Sequence, residues 1–453
     1  MKDILLVNPP LVQSIFEHAG DDLDIVNLVI EDNLISSMNV GLVSISSYLV
    51  SKGFTVDIID LYKDFGVEKL ENQLKVEKYR FIGVSCVTGY SYLSSIQCFK
   101  AAKKIQPTIT TIGGGAHLGP LGKTAISECP EIDIIAQYEG EIILEMILNG
   151  DGYAGVDGIV YRKDNNIFEN TNPSPLADIN DLPTLDFRLY PNYLDYMPFI
   201  EESRGCFAKC SYCVNCFLNQ GKIRIKNPDR FSEDLAFTVG LYGKERNYII
   251  ESLSFGVNTK NTIAILNELK RFGISWGAEF RVDGHWGEYI DLMYESGCRS
   301  CDVGLESASP EILKLMRKTK DPESYIGSAS KLLKKAMSFP EMNMSYNVLF
   351  FLGESPHTMK QTVDFIFSHQ NPRTVISVFP VFLFPGVPLW KDIDWFSQNY
   401  GSKIIDAGYW GKTHIYPVDL SSSVSFKDAL VFSKMLQRMF LRQERSSGRI
   451  AQR

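Results

Sequence analysis

Near the middle of the 453-residue chain, residues 204–213 read Arg204-Gly205-Cys206-Phe207-Ala208-Lys209-Cys210-Ser211-Tyr212-Cys213. The three cysteines lie at C-x3-C-x2-C spacing, so one loop can turn three thiolates toward a single inorganic centre. Iron–sulfur ligation is the natural interpretation. A structural zinc site needs four protein ligands, usually in two separated pairs, whereas three close ligands leave one metal corner open. A substrate or cofactor can bind at such a corner.

We expect neither a fourth cysteine ligand nor disulfide bonds. Cys216 follows three residues after the third cysteine, and we interpret it as a bystander because a fourth thiolate would close the open corner. Disulfide bonding is disfavoured, because the chain has nine cysteines, an odd number, and we expect no secretory leader. Cys298 and Cys301 form a separate C-x2-C pair that we predict to be core residues.

The composition of the chain limits which substrates and which cellular compartment are expected. With 45% hydrophobic residues the chain can form sizeable cores, and its length predicts two or three domains. The net charge of -8 argues against a nucleic-acid substrate and favours a small molecule or peptide. The longest apolar runs, such as 348–352, are of strand length, so no membrane span is expected. We expect a cytoplasmic protein, since Met1–Val7 is too short for a signal peptide.

Residues 1–150 alternate between short apolar runs and segments with helical spacing, which predicts a doubly wound, Rossmann-like α/β domain with a parallel sheet. The ligand crevice of such a domain lies at the carboxyl ends of its strands. The predicted strands are 4–7, 56–59, 81–85, 108–112 and 132–136, and the predicted helices are 40–52, 92–104, 121–128 and 141–148. The segments that follow the strands are Asn8-Pro9-Pro10, Ser85-Cys86-Val87-Thr88, Gly113-Gly114-Gly115-Ala116-His117 and Tyr138-Glu139-Gly140-Glu141.

The remainder divides into three parts. Residues 151–194 are predicted to form a hairpin (158–161 and 167–170) and a proline-rich linker. Residues 195–388 contain six strand–helix units, which predict a partial, parallel (β/α)6 barrel of the TIM type with its site at the carboxyl ends of the strands. Residues 389–453 are a small helical and aromatic segment, which either shapes the substrate pocket or only packs on the barrel. The barrel strands are predicted at 199–203, 248–250, 275–282, 301–305, 343–352 and 375–382.

The cysteine spacing, with Gly205 before the first cysteine and Tyr212 before the third, resembles the radical S-adenosylmethionine (SAM) superfamily. The segments after the first-domain strands resemble the cobalamin-binding domain of one large subgroup. This resemblance covers roughly residues 1–390 and implies three cofactors: a 4Fe-4S cluster, S-adenosylmethionine and cobalamin (vitamin B12). It implies cluster ligation by Cys206, Cys210 and Cys213, SAM contacts from Tyr212, Glu251, Arg281, Glu306 and Ser307, and cobalamin contacts from Asn8, Pro9, Ser85, Thr88, Gly113, Gly114, Gly115, His117, Tyr138, Glu139 and Gly140.

Some of these residues could instead have a purely structural role. Glu306 could instead cap the next helix, and Arg281 could form a salt bridge inside the barrel. The family commonly has an acidic pair after the second barrel strand, but here Ser252 occupies one of those positions and only Glu251 remains nearby.

The family's cobalt-ligating motif, Asp-x-His-x-x-Gly, is missing after the first strand. His18, in Phe16-Glu17-His18-Ala19-Gly20, does not fit it and is interpreted as a solvated loop residue. Either cobalamin binds without a protein histidine or the domain is vestigial, and we favour binding. His117 either faces the crevice or packs on the glycines.

The resemblance implies that reductive cleavage of SAM yields a 5'-deoxyadenosyl radical that attacks an unactivated carbon. C-methylation is the expected outcome, and an external one-electron reductant of the flavodoxin or ferredoxin type is required. Ring contraction, cyclisation or another rearrangement without methyl transfer is the alternative, as is a radical enzyme that has lost cobalamin. A non-catalytic cobalamin sensor or electron carrier is disfavoured by the barrel motifs.

Overall fold

The computed structural model describes residues 1–11, 26, 38–150, 152–172, 174, 176–284, 288–339, 341–370 and 374–446, with side chains to residue 440. His18 lies outside the described residues. The first domain contains a seven-stranded sheet in the order β2-β1-β3-β4-β5-β6-β7. Strands β1 to β5 are parallel, which confirms the doubly wound prediction. The strands are β1 Lys2–Asn8, β2 Val56–Asp60, β3 Tyr79–Ser85, β4 Thr110–Gly114, β5 Ile134–Ala136, β6 Ile159–Lys163 and β7 Asn166–Glu169.

The hairpin β6–β7 belongs to this sheet rather than to a separate linker. β6 pairs antiparallel with β5, and Ile159 and Val160 are fully buried. Pairing of β6 satisfies the backbone groups on the open edge of β5, which is why the sheet continues past residue 150. The first domain therefore extends to about the end of β7, beyond the predicted boundary.

The helices of the first domain pack on both faces of the sheet. One predicted helix has the wrong bounds: residues 118–128 form two short helices rather than one helix over 121–128, because Gly122 has a φ of 47° and interrupts them. The helices are α1 Val40–Ser51, α2 Glu68–Val76, α3 Tyr92–Ile105, α4 Leu118–Leu121, α5 Lys123–Glu128 and α6 Gly140–Asn149.

The second domain is a partial barrel of six parallel strands in the order β15-β14-β13-β12-β11-β8, as predicted. Alternate residues of β12 to β15 are buried against the outer helices, so the residues between them line the barrel interior. A two-stranded ribbon, β9 Ser203–Arg204 with β10 Arg224–Ile225, flanks the cysteine loop. The barrel strands are β8 Phe199–Glu201, β11 Asn247–Glu251, β12 Ser275–Arg281, β13 Cys298–Glu306, β14 Asn343–Phe350 and β15 Thr374–Pro380.

Helices cover the outside of the barrel. Most start with a proline in the first turn or an asparagine, aspartate or serine cap, as in α13, where Ser355 and Thr358 form a capping box. These helices are α7 Asn215–Leu218, α8 Pro228–Tyr242, α9 Thr259–Phe272, α10 Ile290–Glu295, α11 Pro310–Leu315, α12 Pro322–Ala336 and α13 Pro356–Ser368.

The C-terminal segment contacts both domains. Trp410 and Ile415 share a buried cluster with Leu11 and Tyr90 of the first domain, and the last helix packs on β15. The segment contains β16 Phe382–Leu383, β17 Lys403–Ile404, β18 Tyr416–Asp419, α14 Ile393–Tyr400, α15 Gly408–Thr413 and α16 Phe426–Ser446. Across the described residues, none of the helices combines the length and apolar character that crossing a membrane requires.

Candidate active site

The cysteine loop leaves the carboxyl end of β8 through a tightly constrained turn. Gly205 has a φ of 93°, and a Cβ atom placed on it would lie 2.0 Å from the backbone oxygen of Lys222. Only glycine fits this position without moving the backbone. The turn therefore fixes the path of the chain into Cys206.

The three predicted cluster ligands share this loop. Cys210 is buried, whereas Cys206 and Cys213 are half-buried, and burial raises the pKa of the Cys213 thiol to about 11. The Arg281 guanidinium donates a hydrogen bond to Cys210 Sγ at 3.8 Å, so a buried positive charge lies beside this predicted ligand. Among the described residues, no three acidic, histidine or cysteine side chains are placed to share one metal ion. A cubane cluster does not need that arrangement, because each thiolate binds a different iron atom.

Cys216 lies beside the same loop, on α7. Its thiol donates to the backbone oxygens of Ala208 at 3.8 Å and Cys210 at 3.6 Å. Its role as a bystander stays a prediction.

Two buried cations lie next to the cluster loop. Arg281 is paired with Asp283 at 2.8 Å and also donates to the backbone oxygen of Lys318 at 3.0 Å. Lys318 is itself buried and pairs with Glu306 at 3.0 Å. Glu306 has a φ of 61°, an unfavourable backbone for a glutamate that is typical of functional sites. Sequence analysis included Arg281 and Glu306 among the candidate SAM contacts but left out Lys318.

The other predicted SAM contacts, Tyr212, Glu251 and Ser307, lie in three different environments. Burial and the nearby charge of Glu306 raise the pKa of Tyr212, whose ring meets Phe351 edge-on at 6.2 Å. Glu251 ends β11 with its carboxylate exposed at the barrel mouth, and its pKa is raised by desolvation and by Glu201. Ser307 is fully buried, and its hydroxyl bonds to Thr362 at 3.1 Å. Tyr212 and Glu251 therefore reach the mouth, while Ser307 stabilises the turn behind it.

Sequence analysis missed two carboxylates on the inner face of the barrel. Glu279 and Asp302 are direct neighbours on β12 and β13. Desolvation, followed by repulsion from Glu251, raises the pKa of Glu279 to about 7. Both residues lie between buried apolar neighbours on their strands, so the two-residue alternation could have indicated that they face inward.

At the predicted cobalamin edge, the structure brings the ends of β1, β2 and β3 together. Asn8 is buried and donates to Asp60 at 2.9 Å and to the Tyr190 hydroxyl at 3.3 Å. Asn39 donates to both Asn8 and Ser85 at 3.3 Å. Pro9 continues this buried edge, and Thr88 caps the next turn through Tyr90 N–H at 3.4 Å.

The glycines at the carboxyl end of β4 are explained mainly by packing. A Cβ on Gly113 would lie 2.8 Å from Ile135, and one on Gly115, which has a φ of 95°, would lie 2.6 Å from the Cys86 oxygen. Gly114 is the more open position, with its nearest neighbour, Ala136, at 3.7 Å. Their contact with cobalamin stays a prediction.

His117 faces the C-terminal segment. Its ring is buried, Nε2–H donates to the backbone oxygen of Thr413 at 2.8 Å, and desolvation lowers its pKa to about 3. The ring also lies edge-on to Tyr92 at 5.8 Å. In this arrangement the histidine is a neutral residue that packs on Tyr92 and the C-terminal segment rather than on the glycines. Its contact with cobalamin stays a prediction.

The segment after β5 faces the barrel domain. Tyr138 stacks on Phe217 at 5.1 Å. Glu139 accepts from Arg204 at 3.3 Å and from Arg224 at 3.0 Å, and Gly140 starts helix α6. This edge of the first domain and the ribbon that flanks the cluster loop are therefore in direct contact.

Two family models match the chain. The model for the B12 binding domain matches residues 36–148, and the model for the radical SAM superfamily matches residues 200–366. The chain is a radical SAM enzyme with a B12-binding domain. Its cofactors are cobalamin, S-adenosylmethionine and a 4Fe-4S cluster, which are those of the two domain families.

Several known proteins are similar to this B12-binding radical SAM enzyme. An uncharacterized methyltransferase of Pyrococcus horikoshii is 27% identical over 76% of this chain and 76% of its own length. An anaerobic magnesium-protoporphyrin IX monomethyl ester cyclase of Rubrivivax gelatinosus is 23% identical over 60% of this chain, which spans only 52% of the cyclase. The radical SAM methyltransferase TsrM of Kitasatospora setae, solved with cobalamin and a 4Fe-4S cluster, has a TM-score of 0.72 at 16% identity and covers 90% of this chain and 81% of its own. The last comparison shows the shared fold.

Proposed function

We propose that this enzyme transfers a methyl group to an unactivated carbon of a small-molecule or peptide substrate. One observation carries the proposal: the cluster loop and the carboxyl edge of the B12-binding domain meet, through Tyr138 with Phe217 and Glu139 with Arg204. Chemistry at the two cofactors can then act on one substrate between them. The relatives named as methyltransferases support the same outcome.

The chain's own residues supply binding and orientation. Cys206, Cys210 and Cys213 would hold the cluster, which with SAM and cobalamin supplies reductive cleavage and methyl delivery. Arg281 and Lys318 are buried cations beside the cluster loop, and the carboxylate of SAM would bind one of them in place of its present partner, Asp283 or Glu306. SAM contacts by Arg281, Glu306 and Tyr212 are proposed because Arg281 bonds to Cys210 and the charge of Glu306 acts on Tyr212.

The polar barrel interior would orient the substrate. Glu279 and Asp302 face inward from neighbouring strands, and Glu279, with a pKa of about 7, can hold or release a proton near neutral pH. The apolar outer faces of the same strands exclude water from the wall behind them. The enzyme would work in the cytoplasm, without nucleic acid, and would draw single electrons from a flavodoxin- or ferredoxin-type protein.

The decisive experiment uses methyl-deuterated SAM with anaerobically reconstituted enzyme, cobalamin, dithionite and a cell extract fraction that contains the substrate. We expect 5'-deoxyadenosine together with a product that is heavier by three deuterium atoms at the new methyl group. A Cys210→Ala variant is the matched control and should form neither. A product without deuterium would contradict methyl transfer.

A rearrangement without methyl transfer is the second candidate, because one similar protein is named a cyclase. In the same experiment it would give 5'-deoxyadenosine and an unlabelled product of altered ring structure.

A further inference from the structure

Glu306 lies at the centre of a strained turn at the carboxyl end of β13. Its φ is 61°, and the N–H of Ser307 donates to the backbone oxygen of Leu305 at 2.8 Å. A hydrogen bond from residue i+2 to residue i around a positive φ is the strained form of the γ-turn, which is rare in proteins. The pairing of β13 with β14 also shifts by one residue between Gly304 and Glu306, so the turn follows directly on a β-bulge.

This turn places the Glu306 carboxylate over the inner face of the barrel. A Cβ on Gly304 would lie 3.1 Å from Glu306 Oε1 and 3.3 Å from Lys318 Nζ, so the ion pair occupies the space that the missing side chain leaves. Gly304 is the direct neighbour of Arg281 on β12, and Arg281 bonds to Cys210. The strained backbone therefore holds a carboxylate close to the cluster loop.

Tyr325, on α12, holds the first half of the turn. Its hydroxyl donates to the backbone oxygens of Gly304 at 2.7 Å and Leu305 at 3.3 Å, which are the two carbonyl groups before Glu306. The residue is 1% exposed, so it does not itself reach a ligand in the barrel. Desolvation, followed by the charge of Glu306, raises the pKa of the Tyr325 phenol, which therefore stays protonated and keeps donating.

Thr362, on α13, holds the second half of the turn. Its Oγ1 accepts from the N–H of Ala308 at 3.1 Å and bonds to Ser307 Oγ at 3.1 Å. Thr362 is buried as well. Two helices on the outside of the barrel thus fix the backbone on either side of Glu306.

We propose that Tyr325 is a positioning residue for SAM binding that acts through Glu306, with Thr362 as the second support. A strained backbone conformation persists only where the surrounding structure holds it, and these two side chains supply the hydrogen bonds that do so. Without the Tyr325 hydroxyl, two carbonyl groups lose their donor and Glu306 relaxes toward a negative φ. Its carboxylate then leaves the place where it would meet SAM. This role rests on the proposed function, because the contact of Glu306 with SAM is part of it.

The test measures the dissociation constant of SAM by calorimetric titration of the reconstituted enzyme, with the cluster oxidised so that SAM is not cleaved. Tyr325→Phe removes the hydroxyl and keeps the ring. Tyr248→Phe is the matched control, because Tyr248 is also 1% exposed and donates to a backbone oxygen, that of Gly243 at 2.6 Å, at the amino end of the barrel strands. We expect Tyr325→Phe to weaken SAM binding roughly tenfold and Tyr248→Phe to leave it unchanged. Binding by Tyr325→Phe as tight as that of the unchanged enzyme would overturn the positioning role.

A double change shows whether Tyr325 acts through Glu306. Glu306→Ala should weaken SAM binding by itself, and adding Tyr325→Phe should then cause little further loss, because effects that pass through the same side chain do not add. Full additivity of the two losses would mean that Tyr325 does not act through Glu306. Normal SAM binding by Glu306→Ala would instead contradict the proposed contact of Glu306, while methyl transfer is still decided by the deuterium experiment.

Thr362 provides a second measurement that does not depend on the folding of Tyr325→Phe. Thr362→Val replaces the hydroxyl by a methyl group of similar size, whereas Thr362→Ser keeps the hydroxyl. We expect Thr362→Val to weaken SAM binding and Thr362→Ser to bind SAM like the unchanged enzyme. Equal binding by these two variants would overturn the claim that hydrogen bonds from the outer helices position Glu306.

Discussion

Single residues decide whether the cluster loop can form. Gly205 and Gly221 both have a positive φ, of 93° and 69°, but only Gly205 is crowded by neighbouring backbone. Alanine at Gly221 therefore tests only the cost of a side chain in this backbone conformation, whereas alanine at Gly205 adds a steric clash.

We predict that Gly205→Ala displaces the loop and gives protein with substoichiometric iron after reconstitution, since its Cβ would lie 2.0 Å from the Lys222 oxygen. Gly221→Ala has open space, with no atom within 4 Å, and should cost only about 1–2 kcal/mol with normal iron content. Iron and sulfide analysis, together with the visible absorbance of the reconstituted cluster, checks both. Full iron loading of Gly205→Ala would contradict the close-packing argument.

A buried acid after β14 gives a pH-dependent prediction. Desolvation raises the pKa of Glu354 to about 8, and one of its oxygens has no hydrogen-bond partner within the described structure. The unfolded state releases this proton near pH 4.3, so folding stability falls as pH rises from there to about 8.

Glu354→Gln removes this titration while keeping an oxygen that can accept from Thr358, the hydrogen-bond donor in the present structure. We expect the variant to gain on the order of 5 kcal/mol over the unchanged protein at pH 8.5 but only about 1 kcal/mol at pH 5. Thermal melts of both proteins across that range measure the difference. A constant difference at all pH values would show that the carboxyl is not held protonated.

At the scale of elements, the C-terminal segment connects the two domains through α15 and β18. Trp410 is 2% exposed and packs on Phe382, with ring centroids 6.0 Å apart. Trp395, on α14, is 48% exposed. The pair offers the same substitution in a buried and in an exposed setting.

We predict that Trp410→Ala costs about 3–5 kcal/mol and exposes residues 407–416 to limited proteolysis, because it leaves a cavity between the segment and the first domain. Trp395→Ala should change the melting temperature little. Melting curves and the mapped protease cleavage sites are the readouts. Similar behaviour of the two variants would mean that the segment is not needed to hold the domains together.

The sequence predicted those elements whose signal is local. Periodic apolar residues located the parallel strands, and cysteine spacing located the cluster loop. The membership of β6 in the first sheet was missed, since it depends on pairing with β5. The contact of His117 with Thr413 joins residues that are 296 positions apart, and no local pattern encodes it.

For the whole molecule, a network of ion pairs at the domain interface fixes the orientation of the two domains. Arg204 and Arg224 are cross-strand neighbours in the β9–β10 ribbon. Both reach Glu139, and Arg204 also pairs with the buried Glu141 at 2.9 Å. Removing one partner of such a buried pair typically costs about 3–5 kcal/mol.

We predict that Arg224→Glu, which places like charges together, separates the domains and weakens the magnetic coupling between Co(II) cobalamin and the reduced cluster. The double change Arg224→Glu with Glu139→Arg restores opposite charges and should recover much of that coupling. Electron paramagnetic resonance of the loaded enzymes measures it. Coupling that is unaffected by Arg224→Glu would show that other contacts set the distance.

The packing of residues 407–416 against the first domain also has a consequence for the order of folding during synthesis. Domains fold as they leave the ribosome, in order from the N-terminus, so the Rossmann-like unit and the barrel are each complete before this piece is translated. The crevice therefore stays open to large molecules until residues 407–416 have left the ribosome. Cobalamin can then be delivered before residues 407–416 pack against the first domain.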